Sequence, residues 1–223
     1  GHPLDVQWLG TVDYREAWEL QKQVAQKRLA EEIPDTLLLL EHPPTLTLGR
    51  SASWEHILET QAALEAQGFT LVETDRGGDV TYHGEGQLVG YPILNLREPP
   101  HHADMHRYLR DLEETLIQAL ATLGVTASRF TGYTGVWIDR ETPHPRKIAA
   151  IGVKASRWIT LHGFALNVCT NLEHFSRIVP CGIQNYGVTS LEQVTGRAWS
   201  VEEVLPTITE AFQQVFGYTH LTL

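Results

Sequence analysis

Cysteine is scarce in this sequence, whose 223 residues include only Cys169 and Cys181. Two cysteines are too few for the disulfide framework that holds many small secreted domains together. The sequence also lacks a run of about twenty apolar residues, which a membrane-spanning helix needs, and it shows no signal-peptide pattern. We therefore expect a cytoplasmic protein that does not bind a membrane.

Basic residues are also fewer than acidic ones. The chain has 17 lysines and arginines against 27 aspartates and glutamates, which gives a formal net charge of −10 at pH 7. Because binding to a nucleic-acid backbone needs a basic surface, this balance argues against a nucleic-acid partner.

Strands and helices alternate along the chain with no repeat, low-complexity tract or linker between them. Apolar spacing predicts helices over 14–32, 55–67, 104–123, 190–194 and Val201–Phe216, and strands over 36–40, Thr45–Leu48, 69–72, 88–96 and 135–138. This order favours one mixed α+β domain over residues 1–223. Gly1 and His2 stand in place of an initiator methionine, and we interpret them as a remnant of cloning.

The stretch from Lys147 to Cys181 holds the first candidate site. Apolar alternation over 148–153 and 159–161 predicts two strands that pair and bring the ends of the stretch together. Cys181 stands in a Pro-Cys-Gly turn, and a nearby lysine would favour its thiolate, the form that attacks carbonyl groups. Cys181 is therefore a candidate nucleophile, whereas Cys169 continues an apolar run and is interpreted as a buried thiol.

A glycine-rich segment, residues 76–86, is the second candidate site. It reads RGGDVTYHGEG and matches neither GxGxxG nor GxxxxGK[ST], so a nucleotide-phosphate site is not indicated. Glycines let backbone approach a ligand closely, but they serve equally well in a turn between strands. The presence of Arg76, Tyr82 and His83 in the same segment favours a binding site.

The other histidines give weaker signals. His162 precedes a glycine near a strand end, where a structural hydrogen bond is more common than a catalytic role. His102 and His106 are spaced to share one helix face, but no third ligand is evident, so we expect no metal site.

Three blocks of sequence together resemble the LipB family of lipoyl(octanoyl) transferases. They read RGGDVTYHGEGQLVGYPI, KIAAIGVKASRWITLHGFALNV and VPCGI, and they occur in this order within residues 37–191. The resemblance implies the α+β fold shared by biotin and lipoate protein ligases, a mixed sheet flanked by helices. It also implies transfer of an octanoyl or lipoyl group from acyl carrier protein to a lysine of a lipoyl domain, in 2-oxoacid dehydrogenases or glycine cleavage H protein.

Carried over by position, the resemblance makes Cys181 the acyl-thioester nucleophile and Lys147 its activating partner. Lys154 ranks second, because the family accepts arginine at its position. No cofactor and no ATP are implied, and we expect a monomer. The implied acyl pocket is lined by Arg76, Gly77, Gly78, Asp79, Val80, Thr81, Tyr82, His83, Ala150, Ile151, Gly152, Gly163, Phe164 and Ala165.

Three other functions stay open at this point. An ATP-dependent lipoate ligase of the same fold needs no catalytic cysteine. An acyl-binding module forms no covalent adduct. A thiol hydrolase would use His83 or His162 as its base and water as the acceptor.

Basic residues gather around Lys147 in an otherwise acidic chain. Residues 129–157 contain six bases and two acids, a local charge of +4, which we expect to steer an acidic carrier protein to the site. The bases are Arg129, Arg140, Arg146, Lys147, Lys154 and Arg157, and the acids are Asp139 and Glu141.

Overall fold

The computed structural model describes residues 1–179 and 186–223, which form twelve β-strands and five α-helices. The strands are β1 (Pro3–Thr11), β2 (Asp35–Glu41), β3 (Thr45–Leu48), β4 (Thr70–Glu73), β5 (Val80–His83), β6 (Gln87–Ile93), β7 (Ser128–Phe130), β8 (Tyr133–Ile138), β9 (Arg146–Ser156), β10 (Ile159–Asn167), β11 (Gly187–Val188) and β12 (His220–Thr222). The helices are α1 (Tyr14–Leu29), α2 (Gln61–Ala66), α3 (Met105–Thr122), α4 (Leu191–Thr195) and α5 (Val201–Phe216). Within these ranges no helix is both long and apolar enough to cross a membrane.

Nine of the strands form one mixed sheet. Its main order is β12-β1-β2-β6-β10-β9-β8-β7, and β11 joins it along β9. The pairs among β12, β1 and β2 are parallel, whereas the pairs from β2 through to β7 are antiparallel. The order β4-β3-β5 makes a second, three-stranded sheet, which carries part of the glycine-rich segment.

The leucine run of β2 shows how the large sheet is covered. Leu37 and Leu39 pack with α3 and α5, while Leu38 and Leu40 face α1 on the other side. All four side chains are fully buried. A strand covered on both faces reads as a continuous apolar run, which is why the sequence identified β2 as buried. The predicted class, a mixed sheet flanked by helices, is confirmed.

Side-chain caps fix where the long helices begin. Asp13 and Asp104 accept backbone N–H groups in the first turns of α1 and α3. Ser200 and Glu203 form a complete capping box, so α5 has the predicted bounds. The first helix ends at Leu29 rather than at residue 32.

The helix predicted over 55–67 is wrong in its first half. A 3₁₀ turn at Trp54–His56 comes first, and α2 begins only after Thr60, whose side chain accepts the N–H of Ala63. The His56 carbonyl accepts the N–H of Val179 at 2.8 Å. This long-range hydrogen bond is invisible to local helix patterning.

The two histidines expected to share a helix face do not do so. Helix α3 begins at Met105, so His106 is helical and His102 is not. The neighbouring His101 instead bonds the buried carboxylate of Asp35 at 2.8 Å.

Candidate active site

The hairpin predicted after Lys147 is present. Strands β9 and β10 pair antiparallel from Ile159 opposite Ser156 to Leu166 opposite Ala149. The chain then returns as β11, which runs parallel to the start of β9 and places Val188 opposite Lys147. The residues that follow 180–185 therefore lie beside Lys147. Cys181 itself falls outside the described residues, so its approach to Lys147 stays a prediction.

The glycine-rich segment is tied to the chain that precedes Cys181. The carboxylate of Asp79 lies 2.5 Å from Nδ1 of His56 and accepts the N–H of Ser53 at 3.2 Å. His56 in turn accepts the N–H of Val179 through its carbonyl. Asp79 thus links the glycine-rich segment to residue 179 through one short turn.

Arg76 holds the glycine-rich segment onto the small sheet. Its Nη2 donates to the carbonyl of Thr47 at 2.9 Å, to the Thr47 hydroxyl at 2.8 Å and to the carbonyl of Asp79 at 2.8 Å. The side chain is buried. These bonds give Arg76 a structural role in shaping the segment, beyond the ligand-binding role suggested by the sequence.

A cavity of about 770 Å³ is lined by residues of the glycine-rich block and of the block that begins at Lys147. The third block, residues 179–183, lies outside the described residues except for Val179. Lys147 lines this cavity. Many of the other lining residues are apolar, which suits a hydrocarbon chain. The predicted pocket residues that line it are Arg76, Gly77, Gly78, Asp79, Val80, Thr81, His83, Ala150, Ile151, Gly152, Gly163, Phe164 and Ala165.

Tyr82 is the predicted pocket residue that does not line this cavity. Its ring packs against Phe69 and Phe175 in the core of the small sheet, and its hydroxyl bonds Nδ1 of His174 at 2.8 Å. Successive side chains of a strand point to opposite faces, so Tyr82 turns away from the side taken by His83.

Glycine is required where the glycine-rich segment crosses β9. The Gly77 N–H donates to the Val153 carbonyl at 3.0 Å. A Cβ added to Gly152 would lie 2.7 Å from the Gly77 carbonyl oxygen, closer than real Cβ contacts allow. The two backbones therefore touch directly at the cavity wall.

His83 is held neutral in one tautomer. The Gln87 amide donates to the carbonyl of Tyr82 and to Oδ1 of Asn167, each at 3.0 Å, which turns its Oε1 towards His83. Nδ1 of His83 lies 2.7 Å from that oxygen and must donate, leaving the lone pair on Nε2. Burial, with help from nearby His42, lowers the pKa of His83 to about 3. Such a group is a weak base at neutral pH.

In another part of the cavity, His162 is linked to Lys154 through the carboxylate of Asp75. Its Nε2 lies 2.7 Å from Oδ1 of Asp75, and Lys154 Nζ lies 2.6 Å from Oδ2 of the same carboxylate. Burial lowers the pKa of His162, although Asp75 opposes the shift. Burial alone would raise the pKa of Asp75, but the bonds from Lys154 and His162 bring it below its usual value. His162 has the structural hydrogen bond that its sequence position suggested.

Cys169 has the properties expected of an unreactive thiol. It is half-buried at the edge of the main core, and burial raises its pKa. A raised pKa lowers the thiolate fraction at neutral pH, which supports interpreting this residue as structural.

Several other cavity residues were missed by sequence reasoning. Gln87 and Asn167 are polar residues within buried strands, and this contrast was the available signal. Asn167 also donates to the Thr189 carbonyl at 3.1 Å, which anchors the chain just after β11. The missed residues include Tyr14, Gln87, Tyr91, Met105, Leu109 and Asn167.

The basic cluster is more nearly neutral in space than along the sequence. Arg129 lies against Glu113 and Glu114, and Lys154 pairs with Asp75. Adding these three carboxylates reduces the local excess from +4 to +1. The expected steering by charge is correspondingly weaker.

Sequence comparison places the chain among known proteins. The model of the family described as lipoyl protein ligase A/B catalytic domain matches residues 13–213. A protein of Rubrobacter xylanophilus named octanoyltransferase is 51% identical over 217 residues, which cover 96% of this chain and 94% of the relative. An octanoyltransferase of Myxococcus xanthus is also 51% identical over 96% of this chain, which spans 59% of that relative's length.

Solved structures share the fold at low sequence identity. Lipoate-protein ligase A bound with ATP has a TM-score of 0.72 at 17% identity, covering 100% of this chain and 87% of the ligase. A biotin protein ligase from Aquifex aeolicus gives 0.53 at 15% identity, covering 96% and 69%. These likenesses confirm the predicted ligase-type fold. The family match and the relatives at half identity confirm the resemblance as well: this chain belongs to the lipoyl protein ligase A/B catalytic-domain family, alongside the octanoyltransferases.

Proposed function

We propose that this chain is an octanoyltransferase of protein lipoylation that works through a thioester on Cys181, with Lys147 as activating partner. The observation that carries the proposal is the cavity on which Lys147, the glycine-rich segment and the β9–β10 hairpin converge. The octanoyltransferase relatives support the same transfer. The whole chain, residues 1–223, would act as one catalytic domain.

The first half-reaction is a thioester exchange. The Cys181 thiolate attacks the octanoyl carbonyl of the donor, and the donor's sulfur leaves as a thiolate that takes up a proton. A nearby Lys147 ammonium stabilises the attacking thiolate and can supply that proton. Backbone N–H groups of the glycine loops are candidates to stabilise the oxyanion.

The second half-reaction forms an amide. The acceptor lysine, as a neutral amine, attacks the enzyme thioester. Its proton passes to the Lys147 amine left by the first half-reaction, and the Cys181 thiolate is released. Thioester exchange is nearly balanced and amide formation is downhill, so the sequence of steps needs no ATP.

The acyl chain would lie along β9 and the glycine-rich segment. Three extended backbone bonds span about 3.5 Å, so an eight-carbon chain reaches roughly 9 Å from its carbonyl. Starting beside Lys147, that distance corresponds to about three residues of β9 and ends near Ala150, which lines the cavity. Burial of each CH₂ contributes about 0.8 kcal/mol, so the chain alone supplies ample affinity.

The rival functions fit the site less well. The pKa of His83, about 3, is far from the neutral range that suits the base of a thiol hydrolase. The names of the relatives favour transfer over ATP-dependent ligation. A binding module would leave Lys147 at the cavity without a chemical role.

The partners follow from the same chemistry. The donor would be octanoyl-acyl carrier protein, and the acceptors would be lipoyl domains of 2-oxoacid dehydrogenases and glycine cleavage H protein. A structural neighbour from Thermoplasma acidophilum, described as a bi-partite lipoate protein ligase and its E2 lipoyl domain, has a TM-score of 0.75 at 16% identity. We place the reaction in the cytoplasm and the enzyme as a monomer.

Intact mass spectrometry after incubation with octanoyl-acyl carrier protein tests the proposal. We expect a hydroxylamine-labile octanoyl adduct on the wild type and on Cys169→Ser, and none on Cys181→Ser. No adduct, with activity only when ATP and free octanoate are supplied, would assign a ligase instead. Octanoate binding with neither adduct nor activity would assign a binding module.

A further inference from the structure

Three buried polar atoms lie at the contact between α1 and β10. They are Nε1 of Trp18, Nε2 of Gln21 and Nδ1 of His162, and none of them has a hydrogen-bond partner within the part of the chain that the structure describes. Gln21 is 0% and His162 is 1% exposed. A buried polar group without a partner destabilises a fold, so three of them at one contact need a physical explanation.

Direct contacts bring these three residues together. Trp18 and Gln21 lie three positions apart on α1, which places them on one face of the helix. The backbone N–H of His162 donates to Oε1 of Gln21 at 2.7 Å. The rings of Trp18 and His162 pack with their centroids 5.7 Å apart and their planes at 52°. The three unpartnered atoms therefore belong to one cluster, which we call the α1–β10 site.

The surroundings fix the hydrogen-bonding role of each atom. A backbone N–H can bond only the oxygen of an amide, so the NH₂ group of Gln21 is the unpartnered end, and it donates. The indole nitrogen of Trp18 is also a donor. Nε2 of His162 lies 2.7 Å from the Asp75 carboxylate, which accepts, so a neutral His162 has its lone pair on Nδ1. Burial lowers the pKa of His162 and favours that neutral form, although Asp75 opposes the shift.

We propose that one water molecule binds in the α1–β10 site, where it accepts from Trp18 and Gln21 and donates to His162. The site offers two donors and one acceptor. A cation would be repelled by the donors, and an anion would face the lone pair of His162, so a small neutral molecule that both donates and accepts fits best. Buried waters in proteins typically make about three such hydrogen bonds to groups that otherwise lack partners.

The α1–β10 site belongs to the wall of the cavity. His162 lines the cavity, whereas Trp18 lines a separate surface groove of about 590 Å³. His162 also has φ +61°, a left-handed backbone conformation that is costly for a residue with a side chain. A water molecule bonded to both helix and strand would hold His162, and with it the wall, in place. This inference goes beyond the proposed transfer reaction and does not depend on it.

Magnetisation transfer from water to the indole proton of Trp18 tests the proposal in solution. We expect NOESY and ROESY cross-peaks of opposite sign at this proton, which is the signature of a water molecule with a long residence time. The Trp54 indole is the internal control, because it belongs to an exposed residue and donates to Glu73 on the surface. It should show no such pair of cross-peaks. Trp18→Phe and Trp54→Phe assign the two resonances.

A high-resolution crystal structure of the full chain locates the molecule. We expect a density peak within about 2.7 to 3.2 Å of both Gln21 Nε2 and His162 Nδ1. Two results would overturn the proposal. One is density in which the Gln21 amide donates directly to His162, and the other is a Trp18 indole proton without water cross-peaks. The presence or absence of an octanoyl adduct changes neither result, so the transferase proposal is judged separately.

Discussion

Lys154 forms an ion pair with Asp75, in which Nζ lies 2.6 Å from Oδ2. The same carboxylate is also hydrogen-bonded to His162. Lys154 lies seven residues after Lys147 along β9. At about 3.3 Å per residue this separates the two lysine Cα atoms by roughly 23 Å. The ranking of Lys147 above Lys154 as the activating partner stays a prediction, and the structure adds that Lys154 is paired with Asp75.

Replacing each lysine in turn tests that ranking. We expect Lys147→Met to lower the rate of octanoyl transfer by at least about 100-fold, because general acid–base groups contribute on that scale. Lys154→Met should stay within a few-fold of wild type, since it removes an ion pair that is one-third exposed. Single-turnover transfer measures both, and comparable losses would remove the distinction.

Buried neutral histidines make stability depend on pH. Burial lowers the pKa of His42 to about 4 and that of His83 to about 3, from 6.5. Below pH 6.5 the unfolded chain takes up protons that the folded chain does not, so stability is full above that pH and falls as the pH drops towards 4. Within that window, each histidine should lower the free energy of unfolding by about 1.4 kcal/mol for every unit by which the pH falls. Denaturant unfolding at pH 7, 6 and 5 measures the slope.

A pair of variants assigns that slope to its source. His83→Gln should flatten the dependence by about 1.4 kcal/mol per pH unit, because one titrating group is gone. His106→Gln, a change at an exposed histidine of α3, should leave the slope unaltered. Equal slopes in wild type and His83→Gln would contradict the assignment.

The backbone crossing at Gly152 should not tolerate a side chain. Gly152→Ala brings a Cβ to 2.7 Å from the Gly77 carbonyl oxygen, so the glycine-rich segment must move. We expect at least a tenfold loss of kcat/KM, with a lower melting temperature. Gly187→Ala is the control, since its Cβ meets Arg146 only at an ordinary 3.6 Å. Wild-type behaviour of Gly152→Ala would show that the crossing is adjustable.

Charge reversal tests how much the basic cluster steers the donor. Arg140 and Arg146 already pair with Glu141 and Asp139 on the surface. Reversing both arginines should raise the KM for octanoyl-acyl carrier protein by a few-fold and flatten its salt dependence. Reversing Arg197, in the α4–α5 connection, is the matched control. An unchanged KM in the double variant would end the steering hypothesis.

Local patterning accounts for the elements that the sequence predicted well. The run of leucines in β2 and the apolar alternation in β9 and β10 are short patterns that indicate buried strands. The capping box of Ser200 and Glu203 involves only neighbouring backbone groups at the start of α5. The first two motif blocks also contain most of the cavity lining that the sequence predicted, apart from Tyr82. These features are determined over a few residues, so the sequence alone is sufficient for them.

Strands β1 and β12 required the tertiary structure, because each completes its hydrogen bonding with a partner from the other end of the chain. The roles of single residues in the glycine-rich segment also required the tertiary structure. Arg76 lines the cavity as predicted, and the fold also bonds it to Thr47. Tyr82 was predicted to line the pocket but packs in the core of the small sheet. A residue type specifies which bonds a side chain can make, but only packing of distant segments decides which partner comes within reach.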